Sequence, residues 1–146
     1  MIKSKFITSI FQKNLVNRDI REFKKSLVYY YLFRLIRNFL SKDIILNIYN
    51  FKVYGSINKN KTSYFLLKKC EFGDYHELET IKKISNNSKI LFLDCGCNYG
   101  FYSFYVASIS RLNKVISIDA SQKILDIFKK NLSLNNFFNI ITYNRA

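Results

Sequence analysis

The chain contains no proline and no tryptophan, one histidine, three cysteines and four glycines in 146 residues. Pro- or Gly-rich linker composition is therefore absent, and so is any internal repeat, so the sequence reads as continuous folded material. An odd cysteine count without a signal peptide argues against a disulfide framework and for a reducing, cytoplasmic compartment. Met1 to Ser9 has no apolar core followed by a small-residue cleavage site. Cys95-x-Cys97 hints at a metal, but zinc normally takes four ligands and only Cys70 and His76 remain, so no metal site is expected. The cysteines read instead as small, buried loop residues. His76 has two readings, a general base near neutral pH or a polar residue in the first turn of a surface helix, and the second is preferred.

Acids are also scarce: ten Asp or Glu stand against twenty-four Lys or Arg, a net charge of +14. Residues 1–42 hold ten of the cations and only Asp19 and Glu22, so most of the excess lies at the front. Val28, Leu32, Leu35, Ile36 and Phe39 form an apolar stripe of helical period, and Asp19 and Glu22 have capping-box spacing before it. Arg34 and Arg37 interrupt that run, which is too short and too charged to span a bilayer. A basic amphipathic helix can lie on an anionic membrane surface or on nucleic acid. The abundant residues Lys, Asn, Ile, Phe and Tyr share A/T-rich codons, however, and much of the basicity fits compositional bias with a solvated face. Peripheral membrane contact through residues 1–42 is the next reading, and nucleic acid is the weaker partner class.

What is present from residue 90 onward is more specific. Ile90 to Leu93 is a continuous apolar run, as in strands covered on both faces of a parallel sheet. It ends in Asp94, and Gly96 and Gly100 follow. Phe101, Phe104, Tyr105 and Ile109 then recur at helical spacing. Val115 to Ile118 is a second apolar run closed by Asp119. Ser121 can cap the next helix, which carries Ile124, Leu125, Phe128 and Leu132 on one face. Asn135 and Asn136 are placed to end it in the left-handed conformation. Asn139 to Tyr143 makes a third strand. This alternation predicts an α/β fold, a partial doubly wound, Rossmann-like sheet with three parallel strands. Upstream, Asp74 to Ile84 reads as a helix with Leu78, Ile81 and Ile84 inward. Leu46 to Val53 and Tyr64 to Leu67 read as strands, with Gly55 to Lys61 as the polar turn between them. The expected layout is a basic amphipathic helical segment over 1–42, a β-hairpin lead-in over 43–71 and a cofactor domain over 72–146.

Ligands of open α/β sheets bind beyond the carboxyl ends of the strands. Asp94 and Asp119 occupy two such ends. A nicotinamide fingerprint would read Gly-x-Gly-x-x-Gly and bring a pyrophosphate to a helix amino terminus. This loop begins instead with an acid, which repels phosphate. S-adenosylmethionine (SAM) has no phosphate; it carries an ammonium, a carboxylate, a sulfonium and a ribose diol. Asp94 can serve its cationic end directly or by ordering the loop, and Asp119 can accept the ribose hydroxyls. Gly96 and Gly100 would remove Cβ atoms where the ligand lies close. Each feature alone is ambiguous, since a strand-end Asp is often a turn residue or a helix cap. Their ordered succession over about thirty residues is what points to a SAM site.

The stretch Asp94-Cys95-Gly96-Cys97-Asn98-Tyr99-Gly100-Phe101-Tyr102-Ser103 resembles the first motif of FkbM-type methyltransferases. That family typically shows Asp-x-Gly-Ala-Asn-x-Gly, then an aromatic and a Ser or Thr. Cys97 replaces the usual Ala, and Asp119 is followed by Ala120 where the family often has Pro. Lys130 to Asn136 resembles the end of the family's second helix, and Tyr75 to Glu79 loosely resembles the helix start before its first motif. The likeness covers about residues 72–146, and only the first motif is specific. It implies a class I SAM-dependent methyltransferase fold, with SAM held by Asp94, Cys95, Gly96, Cys97, Asn98, Tyr99, Gly100, Asp119 and Ala120. It further implies methyl transfer to oxygen on a sugar, polysaccharide or other small-molecule acceptor; no catalytic base is assigned. Because such a sheet usually has seven strands, the chain is expected to be the amino-terminal part of a longer protein. Two other classes remain open, a non-catalytic basic module binding nucleic acid or a membrane surface, and a nucleic-acid methyltransferase.

Overall fold

A computed structural model of the chain describes residues 44–55 and 74–146, together with Arg21, Val28 and Tyr31. The chain divides after Gly73 into two compact units, each described by itself. The basic helix expected over 1–42, its Asp19–Glu22 capping box, the strand expected at Tyr64–Leu67 and Cys70 lie outside the described residues, apart from the three isolated positions named above.

In the first unit β1 (Ile44–Ile48) pairs antiparallel with β2 (Phe51–Gly55), Leu46 opposite Val53 and Ile48 opposite Phe51. These four side chains are buried, while Ile45, Asn47, Lys52 and Tyr54 between them are half-buried, the period-two pattern of a sheet with one core face. The turn is Tyr49-Asn50, with φ of 50° and 67°. Two positive φ values in a two-residue loop suit the right-handed twist of a hairpin. The Arg21 guanidinium lies 4.0 Å from the Tyr49 ring centroid, a cation–π contact. The hairpin corrects the sequence reading. Leu46–Val53 is not one strand but parts of two, joined at Tyr49-Asn50; the turn expected at Gly55–Lys61 lies, beyond Gly55, outside the described residues. Tyr seldom adopts a left-handed backbone, so a turn without glycine gave no local signal.

The second unit runs α1 (Tyr75–Asn87), β3 (Leu91–Cys95), α2 (Phe101–Ile109), β4 (Lys114–Asp119), α3 (Gln122–Leu132) and β5 (Ile140–Asn144). Its strands lie in the order β3-β4-β5, and both neighbouring pairs are parallel. This is the α/β alternation that the apolar runs predict. On the core face, Val106 and Ala107 of α2 meet Val115 of β4, ringed by Ile81, Ile90, Phe92, Phe137 and Ile140. From α3 come Leu125 and Phe128, both buried. The Phe128 ring sits 4.9 Å from that of Phe104 on α2. Fully burying side chains of this size stabilises the unit by about 1.5–3 kcal/mol each, so a few such contacts hold α2 and α3 against the sheet.

Three details differ from the sequence reading. The β3 run is not covered on both faces: Leu91 and Leu93 are 68% and 57% exposed, because among the described residues the helices pack on the Phe92 side of the sheet. On α1, Leu78 is buried and Ile81 packs on the core, but Ile84 is exposed and Ser85 is buried instead. At about 100° per residue Ser85 falls within about 20° of Leu78, whereas Ile84 lies about 120° away. Finally, α3 stops at Leu132, and Ser133 caps it in right-handed geometry. Neither Asn135 nor Asn136 takes a positive φ. Asn135 closes the turn through its side chain, its Nδ2 donating to the Asn131 carbonyl at 2.9 Å, so no left-handed residue is needed.

Candidate functional site

The sequence-predicted site residues all fall at the carboxyl ends of β3 and β4. Asp94 and Cys95 close β3, residues 96–100 form the loop into α2, and Asp119 closes β4 with Ala120 after it. Strand pairing sets their relation. Asp94 stands opposite Ser117 in the parallel register, which puts Asp119 two positions further on, level with the loop.

The loop is fastened to β4 by its own backbone. The amides of Gly96 and Cys97 both donate to the Ile118 carbonyl, at 2.8 and 3.0 Å. The Asn98 amide donates to Asp119 Oδ2 at 3.1 Å, and Asp119 Oδ1 accepts from the Ser121 amide at 2.9 Å. Asp119 thus ties the loop to the start of α3, where Ser121 also caps the helix. Each carboxylate oxygen has more than one acceptor site, so these bonds leave capacity for hydroxyl donors. Ala120 offers only its backbone, and its carbonyl and that of Asp119 accept from Asn144 Nδ2 at 3.0 and 2.9 Å.

Three loop residues have positive φ: Gly96 at 78°, Asn98 at 49° and Gly100 at 91°. A Cβ added at Gly96 would meet nothing within 4 Å, so the turn opens onto free space there. A Cβ at Gly100 would come within 2.7 Å of the Phe104 and Phe128 rings. The bare Cα of Gly100 thus admits the packing of α2 and α3, while Gly96 borders open space.

Asp94 turns toward α2. Its Oδ2 accepts from Ser103 Oγ at 2.5 Å, and Ser103 Oγ lies 2.7 Å from Ser117 Oγ. Both serines are fully buried. Burial raises the Asp94 carboxyl above the ordinary carboxylate range, the Ser103 hydroxyl and amide pull it back, and the Asp119 charge adds a smaller upward push. The two acids therefore sense each other across the loop. Cys97 lies in the field of both. It is buried, and burial, then Asp94, then Asp119 push its thiol up to about 12, so it stays protonated and unreactive. Cys95 is exposed, against the reading of every cysteine as a buried loop residue; as the last residue of β3 it shares the outward face of Leu91 and Leu93. His76 is exposed in the first turn of α1. Among the described residues no three His, Cys, Asp or Glu side chains gather as ion ligands, and no helix is long and apolar enough to cross a membrane.

Sequence reasoning missed several supporting groups. Asn131 is fully buried, and its Nδ2 donates to the Tyr99 carbonyl at 3.0 Å, pinning the loop to α3. Tyr102 donates its hydroxyl to Asp74 Oδ2 at 2.8 Å. Burial, that bond and the charges of Asp74, Glu77 and Asp94 hold the Tyr102 phenol above its ordinary range. Two of these groups did carry a signal. Ser117 is a lone hydroxyl inside an apolar strand, and Asn131 is a polar residue one turn beyond Phe128 on the apolar face of α3.

No family model and no curated protein matches the chain. Among solved structures, it is similar to a SAM-dependent methyltransferase from Agrobacterium tumefaciens, with a TM-score of 0.57 and 17% identity, over 72% of this chain and 33% of that one. A caffeoyl-CoA O-methyltransferase candidate from Staphylococcus aureus matches at 22% identity over 82% of this chain and 52% of that one, with a TM-score of 0.42. The chain thus spans about a third of the length of the first and half of the second. The first likeness supports the fold, the Rossmann-like α/β arrangement with three parallel strands seen in the second unit.

Proposed function

We propose that this chain carries the cofactor-binding part of a SAM-dependent methyltransferase of the FkbM type, acting on a hydroxyl of a sugar, polysaccharide or other small metabolite. The observation that carries the reading is the placement of Asp94 and Asp119 at the ends of adjacent parallel strands, on either side of a turn that is open at Gly96. The donor set suits SAM on three counts. Two carboxylates favour an ammonium and a diol and disfavour a pyrophosphate. The free space beyond Gly96 lets a ligand approach the backbone. The loop is fixed in advance by bonds to Ile118, Asp119 and Asn131, so little ordering is left for binding to impose.

In this reading Asp119 accepts the ribose hydroxyls while keeping the Asn98 and Ser121 amides in place. Asp94 faces the cationic end of the ligand, and Tyr99 and Asn98 line the turn between them. The cofactor supplies a sulfonium methyl for in-line displacement by the acceptor oxygen. The protein's part is to hold that methyl and the incoming oxygen in line, which can account for a large share of the rate.

The test is titration calorimetry with S-adenosylhomocysteine on the wild type, D119A and the isosteric D119N. Losing hydrogen bonds to a charged acceptor is worth roughly 1.5–3 kcal/mol each, so D119A should bind at least about tenfold more weakly. D119N, which keeps one acceptor oxygen, should fall between. Circular dichroism checks that both variants stay folded. Unchanged affinity in folded D119A would remove Asp119 from the site.

A further inference from the structure

Three elements meet at one level of the second unit. Asp94 on β3 and Ser117 on β4 are register partners, and Ser103 on α2 bridges them. A hydroxyl carries a single proton. With Asp94 ionised, the Ser103 proton is committed to Asp94 Oδ2, so Ser103 Oγ can only accept from Ser117. The direction is therefore fixed as Ser117 to Ser103 to Asp94. Both hydroxyls are fully buried, where an apolar side chain of similar size would pack without a desolvation cost. Buried polar chains of this kind strengthen one another in a low dielectric.

We propose that Ser103 and Ser117 are positioning residues of the site, a two-hydroxyl chain that orients Asp94 and favours its carboxylate form for a cationic ligand. The purpose assigned to the chain rests on the cofactor reading above; its effect on Asp94 does not. Burial and the Asp119 charge work against ionisation, and the hydroxyl chain is the opposing influence. The other titratable groups in the field of Asp94 are Asp119 at the end of β4, Cys97 in the loop and Tyr102 on α2. Cys97 and Tyr102 are both held protonated and neutral, so neither adds charge beside Asp94. Removing a hydroxyl must then raise the proton affinity of Asp94. Binding of a cation to ionised Asp94 is complete above its midpoint and is lost as the pH falls through it. A raised midpoint moves that loss to higher pH.

Two measurements on the full chain test this. The first follows the Asp94 carboxyl carbon by NMR across pH, without ligand, in the wild type, S103A and S117A. S103A should raise the proton affinity of Asp94 about tenfold or more, since a charge-assisted hydrogen bond is lost. S117A should raise it about two- to fivefold, although Ser117 touches no carboxylate oxygen, because Ser103 becomes a poorer donor. The second is calorimetry with S-adenosylhomocysteine from pH 5 to pH 8. Each variant should lose affinity at a higher pH than the wild type, in step with its own midpoint. An Asp94 midpoint unmoved in S103A overturns the proposal, and so does S117A titrating as the wild type. Should the midpoints move as stated while the wild type fails to bind the analogue at any pH, the cofactor reading falls and the control of Asp94 stands.

Discussion

Gly96 and Gly100 share a left-handed backbone, yet their surroundings assign them different tasks. An alanine at either position pays for a strained φ, at roughly 1–2 kcal/mol. At Gly96 nothing else follows, because the added methyl enters free space. At Gly100 the methyl must also displace the rings of Phe104 and Phe128, and overpacking a close-packed core adds about 1–3 kcal/mol. Denaturant unfolding should therefore show G100A less stable than G96A by about 1–3 kcal/mol. Affinity for S-adenosylhomocysteine should invert the order among folded variants, with G96A the weaker binder because its methyl occupies the open turn. Equal stabilities would mean that the two aromatic rings yield freely, and that Gly100 is needed only for its dihedral angle.

At the scale of elements, α1 shows how periodicity succeeds and where it stops. The sequence placed a helix here with Leu78 and Ile81 inward, and both turn inward in the structure. It also placed Ile84 inward because Ile84 is the apolar neighbour, whereas geometry gives the position to Ser85, whose buried Oγ has no hydrogen-bond partner among the described residues. An unpaired buried hydroxyl costs about 1–3 kcal/mol, so S85A should stabilise the chain by about 1 kcal/mol or more in a thermal or denaturant melt, and a loss of stability would reveal a partner for Ser85. The same logic explains what was legible elsewhere. The strands β3, β4 and β5 declared themselves by apolar runs closed by polar residues, and so did the placing of Asp94 and Asp119 at the ends of adjacent strands. The supporting network did not, because it is built from asparagines in an asparagine-rich chain. Asn113 donates to the Val106 carbonyl and accepts from the Ile90 amide, Asn131 holds the Tyr99 carbonyl, and Asn139 reaches the Asn113 carbonyl. Composition alone cannot separate these structural asparagines from exposed ones such as Asn136. The hairpin turn was hidden for a related reason: Tyr49 adopts a conformation that its residue type rarely announces.

For the molecule as a whole, two opposing features decide its behaviour in solution. The sheet face turned away from the helices carries apolar rows, Leu93–Ile116–Ile141 and Cys95–Ile118–Tyr143, set by the parallel register. Leu93, Ile141 and Tyr143 are all exposed, as is Leu91 beside them, and contiguous apolar patches favour association. Against this stands a net charge of +14, which opposes the approach of a second copy at low ionic strength. Salt acts on the two unequally. The Debye length falls from about 20–30 Å near 0.01–0.02 M salt to a few ångströms near 0.5–1 M, while apolar burial is not screened. Sedimentation velocity should accordingly show a mass-average that rises with ionic strength, and I141K or L93K should hold it at the monomer value. A mass-average that falls with salt would instead mean that charge-driven contacts, not the bare face of the sheet, bring copies together.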